Sequence, residues 1–316
     1  MILKHAALAL GLMALLPTAA LAQVIDDPEA TVVEALVVNA RLPGPAWWKV
    51  SDADTTIYVL GTLASLPKGL GWDTSVLERR LDGAFALIMP PVGRAGLTDI
   101  PALLRLRGKL KSDVPLDQAA PELAPRLARV RTQLGKAPDS YSEWSPLGAG
   151  MMIGLDYQKT TRLDGGEPDR TVERLARKRK VKSRPAGVYK AMPMVKAVVR
   201  EHSAEAGRLC LEGMLSEVEA GTAATQAAAR AWAEGNVRGA IAGPRNFQRC
   251  MRAMPGMADM QQRSVNDEVN ALSEALKTPG HAVALFSIRG LVAEDGVLDR
   301  LRARGFKVTT PGDTPG

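Results

Sequence analysis

Two short apolar segments separated by a polar turn predict the first strands of the protein. Residues 47–50 and 56–60 are apolar or β-branched, and the turn between them is Ser-Asp-Ala-Asp, a pattern typical of a β-hairpin. The second segment runs directly into Gly61 and then into a loop rich in proline and glycine. Because α/β proteins tend to place their chemistry where strands end, we expect residues 61–65 to lie at a functional edge of a sheet.

Helical spacing of apolar residues dominates the central part of the chain. It predicts helices over 73–81, 99–110 and 121–134, a further helix near 147–153, and nearly continuous helix from 194 to 277. In the helix over 99–110, Asp99 is the predicted cap, and Ile100, Leu103, Leu104 and Leu110 form the predicted apolar side.

Further strand patterns lie on both sides of this helical part. Residues 85–89 read as a short buried strand, and residues 283–288 and 306–309 as late strands around a helix over 296–304. The sequence therefore predicts an α+β fold, with one mixed sheet built from N- and C-terminal segments. A mainly helical middle, about 99–277, packs on that sheet.

The beginning of the chain has the pattern of a secretory signal peptide. Lys4 precedes an apolar stretch over 6–16, and Ala20-Leu21-Ala22 provides a small-residue cleavage site. The sequence predicts a signal peptide over 1–22, a flexible leader over 23–45 and a single domain over 46–316. No later segment has the ~20 apolar residues of a membrane helix, so we expect an exported, periplasmic protein without a transmembrane segment.

Cysteine usage and charge bear on the compartment and the possible partners of the protein. Cys210 and Cys250 predict a disulfide in an oxidising compartment, the alternative being two buried free thiols. The net charge of +7 is dispersed except in residues 174–184. This run fits a solvated helix end, or alternatively a contact with anionic lipid headgroups or another polyanion. It contains no aromatic residues for base stacking, so we expect no nucleic-acid partner.

The residues that usually carry catalysis are sparse. His202 and His281 are general-base candidates, but each also fits an ordinary structural place on a helix or in a turn. Ser65 and Ser287 lie near the predicted sheet edge outside any Gly-x-Ser-x-Gly motif. Met251, Met254, Met257 and Met260 recur every three residues, which indicates a flexible core stripe rather than a copper site.

Three segments together resemble one known family. They are WWKVSDADTTIYVLGTLASLPKGLGW, PDRTVERLARKRKV and VALFSIRGLVAEDGVLDRLRARGFKV. They are similar to the TraB/GumN family of bacterial proteins, which is distantly related to the Tiki-type metalloproteases. The resemblance implies an active centre made of two Gly-x-x-His motifs and a Glu after the third strand, acting as metal ligands or as general acid and base.

The chain departs from that family pattern at each of these positions. Ala64 stands where the first histidine is expected, Pro90 where the glutamate is expected, and Gly290 where the second histidine is expected; Ser287 replaces the glycine of the second motif. The resemblance therefore implies a family member without the family chemistry, with no catalytic residues, no metal and no cofactor.

A degenerate cleft at the sheet edge is the predicted site, with Arg94 and Arg289 as its remaining charged groups. Its predicted residues are Gly61, Thr62, Ala64, Ser65, Pro90, Arg94, Ser287, Arg289 and Gly290. We expect this cleft to bind an apolar or anionic ligand, or a partner protein of the envelope. Two alternatives stay open: a hydrolase of altered, metal-independent or carboxylate-based chemistry in the same cleft, and a structural protein whose cleft is filled by side chains.

Overall fold

A computed structural model of the 316-residue chain describes residues 27–164, 166–243 and 245–313. The predicted signal peptide over 1–22 lies outside the described residues. The strands are β1 (Trp47–Ser51), β2 (Thr55–Thr62), β3 (Leu66–Pro67), β4 (Leu87–Met89), β5 (Val92–Arg94), β6 (Leu163–Asp164), β7 (Ser183–Pro185), β8 (Val188–Lys190), β9 (Gly280–Ser287) and β10 (Lys307–Thr309).

Helices make up most of the remainder. They are α1 (Ser75–Leu81), α2 (Ile100–Lys109), α3 (Leu116–Ala119), α4 (Ala124–Gln133), α5 (Pro146–Thr161), α6 (Glu167–Lys178), α7 (Ala191–Glu201), α8 (Ala204–Ala220), α9 (Ala223–Ala233), α10 (Val237–Ile241), α11 (Asn246–Arg252), α12 (Met257–Ala275), α13 (Ile288–Val292) and α14 (Val297–Ala303). Short 3-10 turns occupy Glu34–Leu36, Leu97–Asp99 and Pro121–Leu123. Within the described ranges, none of the helices combines the length and apolar character needed to cross a bilayer.

The predicted mixed sheet is confirmed. It has six strands in the order β10-β1-β2-β9-β4-β7. β1 pairs antiparallel with both β2 and β10, whereas β2, β9, β4 and β7 run parallel to one another. Because β2 and β9 are adjacent and parallel, Thr62 lies opposite Ser287, and the carboxyl ends of both strands open at the same edge. The strand β7, from the middle of the chain, was not predicted.

Both faces of the central strands are buried, each under a different set of helices. In β9, Ala284 and Phe286 point into a core shared with α9, α10, α12 and α14, and Val283 and Leu285 point into a second core shared with α1 and α6. This alternation is the period of two expected for a strand. It explains why β9 reads as a continuous apolar run in the sequence, as buried parallel strands do.

A third core forms within the helical middle itself. It is built from α2, α4, α5, α7 and α8, with Ile153, Leu211 and Leu215 at its centre. A disulfide between Cys210 and Cys250 joins α8 to α11 beside this core, so the predicted cysteine pairing is confirmed.

Residues 27–45, which fall within the predicted flexible leader, pack partly against the sheet. Leu36 is fully buried, and the indole Nε1–H of Trp48 donates a hydrogen bond to its carbonyl at 3.2 Å. Val32 forms a β-bridge with Ala293. The polar and proline-rich composition suggested loose attachment, but two leucine- and valine-containing stretches supply enough apolar surface to pack on the sheet.

The apolar side predicted for α2 is wrong for three of its four residues. The helix spans the predicted residues, but it turns Leu106 and Leu110 toward the core and leaves Ile100, Leu103 and Leu104 exposed. Asp99 does not cap α2 with its side chain; its carboxylate instead accepts a hydrogen bond from the backbone N–H of Gly96 at 2.7 Å.

Candidate functional site

A cavity of about 270 Å³ lies at the edge where β2 and β9 end. The loop after β2 and the first turn of α13 form one wall, and α5, α8 and α9 form the opposite wall. Residues of the N-terminal segment and of α11 complete the lining. The cavity therefore lies between the sheet and the helical middle.

Close packing beneath the cavity fixes the end of β2. A Cβ at Gly61 would lie 2.9 Å from both Ile288 Cγ1 and the ring of Trp48, so only glycine fits there without displacing the core. The Nε1–H of Trp232 donates a hydrogen bond of 2.7 Å to the Gly61 carbonyl, which ties α9 to the strand. The hydroxyl of Thr62 donates to the carbonyl of Phe286 at 3.3 Å, across the strand pair.

Five of the predicted cleft residues come together in this cavity. Thr62, Ala64 and Ser65 line it from the end of β2 and the loop that follows, and Ser287 and Arg289 line it from the end of β9 and the start of α13. The two glycines take other places: Gly61 lies beneath the cavity, and Gly290 lines a smaller neighbouring pocket on the far side of Glu29.

The other two predicted residues, Pro90 and Arg94, are not among those that line the cavity. After β4 the chain enters β5, which pairs with β8 rather than joining the central sheet. This pairing places Arg94 opposite Lys190, on the two-stranded extension that leads into α2. The sequence located the strand end correctly, but did not reveal the second small sheet that redirects the chain.

Two carboxylates that the sequence analysis did not predict line the cavity together with Arg289, whereas Arg94, the other predicted charged group, does not line it. The two carboxylates are those of Glu29, from the N-terminal segment, and Glu217, from α8. Burial raises the pKa of Glu217 above its usual value, although a hydrogen bond from the Asn246 amide at 3.4 Å opposes the shift. Glu217 follows Cys210 by seven residues and Met214 by three, and this helical spacing was the available signal that it shares their inward-facing side.

The charge of Glu29 is largely neutralised within the protein. Arg245 pairs with Glu29 at 3.3 Å and with Asp27 at 2.6 Å, and Arg252 also approaches Asp27 at 3.3 Å. These pairs fix the N-terminal segment against α11 and its preceding loop. Glu29 therefore contributes to the cavity both as a fixed part of its lining and as a charged group.

Arg289 is placed differently. Its guanidinium donates to the backbone carbonyls of Glu29, at 3.5 Å, and of Ile241. Among the described residues no carboxylate oxygen lies within 4.0 Å of its nitrogens. Burial and the nearby charge of Arg245 lower the pKa of Arg289, and the charges of Glu29 and Asp27 oppose that shift. An arginine has five N–H groups, so this half-buried cation keeps donors and charge available to a bound molecule.

Tyr157, on α5, also lines the cavity, and its hydroxyl is buried. The phenol oxygen is inaccessible to solvent and has no hydrogen-bond partner among the described residues. Burial raises its pKa, and the nearby charge of Glu217 adds to that effect. A buried polar atom left without a partner costs free energy, so the Tyr157 hydroxyl is an unsatisfied polar group in the wall of the cavity.

Both histidines of the described residues lie away from this cavity. The Nε2 atom of His281 lies 3.2 Å from the Arg80 carbonyl, at the start of β9 and hence at the opposite end of the strand from the cavity. His202 follows α7, with its ring against Gly207. The described residues contain no group of three or more His, Cys, Asp or Glu side chains arranged to hold a metal ion.

The residues present do not fit the metal that the family resemblance implies. The positions expected to supply ligands hold Ala64, Pro90 and Gly290, none of which has a coordinating side chain, whereas a catalytic zinc needs about three protein ligands. The lining of the cavity offers instead two carboxylates, one guanidinium and several neutral polar groups.

Comparison with known proteins gives one family. The sequence model of the TraB/PrgY/gumN family matches residues 46–310, which is most of the chain. Searches of curated proteins and of solved structures gave no significant match.

Proposed function

The chain belongs to the TraB/PrgY/gumN family, and from that premise we propose that it is an exported, non-catalytic binding protein whose cavity holds a small anionic organic molecule. The signal-peptide pattern supports export, and the replacement of the three expected functional side chains supports the absence of catalysis. The cavity itself argues against the alternative in which side chains fill the cleft.

The observation that carries this proposal is the environment of Arg289. It is the cation lining the cavity, and its guanidinium is held in place by two backbone carbonyls rather than neutralised by a carboxylate. Hydrogen bonds between a guanidinium and a carboxylate or phosphate are strong and directional. Arg289 is therefore preorganised to receive an acidic group.

The remaining lining residues and the volume of the cavity indicate the chemistry and size of the rest of the ligand. Leu63, Met214 and Ile288 offer apolar surface for a hydrocarbon or aromatic body. Small-molecule pockets usually measure about 300–1,000 Å³. The observed volume of about 270 Å³ is near the lower end, which favours a compact ligand.

Equilibrium binding tests the proposal directly. Hexanoate, benzoate and phenyl phosphate are titrated into the protein by calorimetry, and we expect at least one of them to bind. Arg289→Gln should raise its Kd by about ten- to a hundredfold, because hydrogen bonds to charged groups contribute about 1.5–3 kcal/mol. The matched control is Arg208→Gln, which removes an exposed arginine of α8. Equal affinity in the Arg289→Gln and control variants would refute the role of Arg289.

A second function is favoured by Glu217. A carboxyl whose pKa is raised by burial, in a cavity that also holds an arginine and a buried phenol, resembles a general acid. This supports the carboxylate-based hydrolase as the alternative. Turnover of a peptide or ester by the purified protein, lost in Glu217→Gln while the urea midpoint stays unchanged, would establish that alternative and overturn the non-catalytic proposal.

A further inference from the structure

The first turn and a half of α2 exposes an unusual amount of apolar surface. Leu97 is 86% exposed, Ile100 48%, Leu103 38% and Leu104 65%. We call these four residues the α2 ridge. They are half of the eight large hydrophobic side chains that are strongly exposed in the described part of the chain. Scattered exposed apolar residues need no explanation, but a contiguous group usually marks an interaction surface.

The sequence of α2 explains this exposure, because the helix carries apolar residues on two sides. Ala102, Leu106 and Leu110 recur every four residues and pack on the helical core, so they occupy one side of the helix. Ile100 and Leu104 then project from the opposite side, and Leu97 precedes them in the 3-10 turn. The helix is therefore apolar on two sides, and the described protein covers only one of them.

The segment that carries the ridge is strongly basic. Residues 94–111 contain five cations and a single acid, Asp99. The cations are Arg94, Arg105, Arg107, Lys109 and Lys111. Asp99 is engaged with the backbone of Gly96. Within the described ranges Arg94 and Arg107 are exposed and have no carboxylate within 4.0 Å, whereas Lys111 pairs with Glu143. Arg107 shares the side of α2 that carries Ile100 and Leu104, whereas Arg105 and Lys109 lie on the other side of the helix.

We propose that the α2 ridge docks on the surface of an anionic lipid bilayer. Aliphatic side chains flanked by arginine and lysine match the bilayer interface, where the apolar side chains enter the acyl boundary and the cations meet the phosphates. A protein partner is the less suitable occupant, because protein-binding hot spots are enriched in tryptophan and tyrosine, and the ridge contains only leucine and isoleucine.

Two other regions lack this combination. The basic run over 174–184 exposes no large hydrophobic side chain, and its Arg179 is paired with Glu78 and Asp82. On α5, Met151 and Leu155 are exposed, but the helix carries one acid, Asp156, and one base, Lys159. Positive charge and exposed apolar surface therefore occur together at the ridge. This proposal does not depend on what the cavity binds.

Vesicle flotation tests the proposal. The protein purified after export is mixed with vesicles of phosphatidylethanolamine and phosphatidylglycerol, and separately with vesicles of phosphatidylcholine alone. We expect it to float with the anionic vesicles, to remain behind with the neutral ones, and to dissociate at high salt as screened charges do.

Variants locate the binding surface. Arg94→Gln with Arg107→Gln should lower partitioning by about 25-fold, because each cation near an anionic surface contributes a factor of about five. Leu97→Ser with Leu104→Ser should also abolish flotation. The control is Met151→Ser with Leu155→Ser, which removes two exposed apolar residues away from the ridge and should leave flotation unchanged. All six positions are exposed, so these variants are expected to fold.

Several outcomes would overturn the proposal. They are no flotation, equal flotation with neutral vesicles, and equal flotation of the ridge and control variants. Self-association or cross-linking to a protein that depends on Leu97 and Leu104, without vesicle binding, would instead assign the ridge to a protein partner and overturn the lipid proposal.

Discussion

Glu268 should make the stability of the protein fall as the pH rises through the neutral range. The side chain is only 8% exposed, on the inward side of α12. Burial raises the pKa of Glu268 from 4.5 to about 8; the nearby acids Glu29 and Asp267 add to the shift, and a weak hydrogen bond from Ser264 opposes it. Glu268→Gln keeps the shape of the side chain and the hydrogen-bond acceptor for Ser264 but cannot ionise.

The sign and the magnitude follow from proton linkage. Below about pH 4.5 the carboxyl of Glu268 is protonated in both the folded and the unfolded chain, so its ionisation does not lower the free energy of unfolding. Between about pH 4.5 and about pH 8 the unfolded chain loses the proton while the folded chain keeps it, and stability decreases. At about 1.4 kcal/mol per pH unit over the separation of the two pKa values, the loss reaches at most about 5 kcal/mol.

Urea unfolding at about pH 5 and about pH 8 measures this effect. We expect the wild-type free energy of unfolding to fall between the two pH values by several kcal/mol more than that of Glu268→Gln. The control is Glu201→Gln, an exposed carboxylate at the end of α7, which should behave as the wild type does. Parallel pH dependence in wild type and Glu268→Gln would show that Glu268 ionises normally in the folded protein, and the reasoning would fail.

Two further substitutions test the packing around the cavity. Gly61→Ala should lower the free energy of unfolding by about 1–3 kcal/mol, because the added Cβ would overlap Ile288 and Trp48 in a fully packed core. The control is Gly71→Ala, where an added Cβ meets no atom within 4 Å. Equal urea midpoints of the two variants would contradict the prediction. Cys250→Ser should cost about 4 kcal/mol, the chain-entropy value for a closed loop of 40 residues. Dithiothreitol should then lower the thermal midpoint of the wild type and not of the variant; an equal response of both proteins would argue against the disulfide.

Much of the sheet was predictable because its signals are local. The hairpin of β1 and β2 is encoded by two apolar segments and a polar turn, and β9 by an uninterrupted apolar run that requires burial on both faces. The position of the cavity follows from these strands, since adjacent parallel strands must end at the same edge. Thr62 and Ser287 were therefore predicted to lie near one another before the register was known.

The errors arose where partners distant in sequence decide the outcome. Ile100 and Leu104 look like core residues in the sequence. The spacing of apolar residues shows that a helix is amphipathic, but it does not show which side of the helix packs against another element. Glu217 and Glu29 escaped notice because each is an ordinary residue in its own segment and gains a role only where α8 and the N-terminal segment meet. The small sheet of β5 and β8, which carries Arg94 away, depends likewise on pairing across nearly a hundred residues.

The placement of the cavity has one more consequence. Ile288 and Ala240 belong to the core on the sheet, whereas Tyr157 belongs to the core of the helical middle, and all three face the same empty space. A molecule seated there would touch two separately packed halves at once and act as a non-covalent bridge. A ligand bound there would therefore stabilise the contact between the sheet and the helical middle, as any ligand that binds only the folded state stabilises that state.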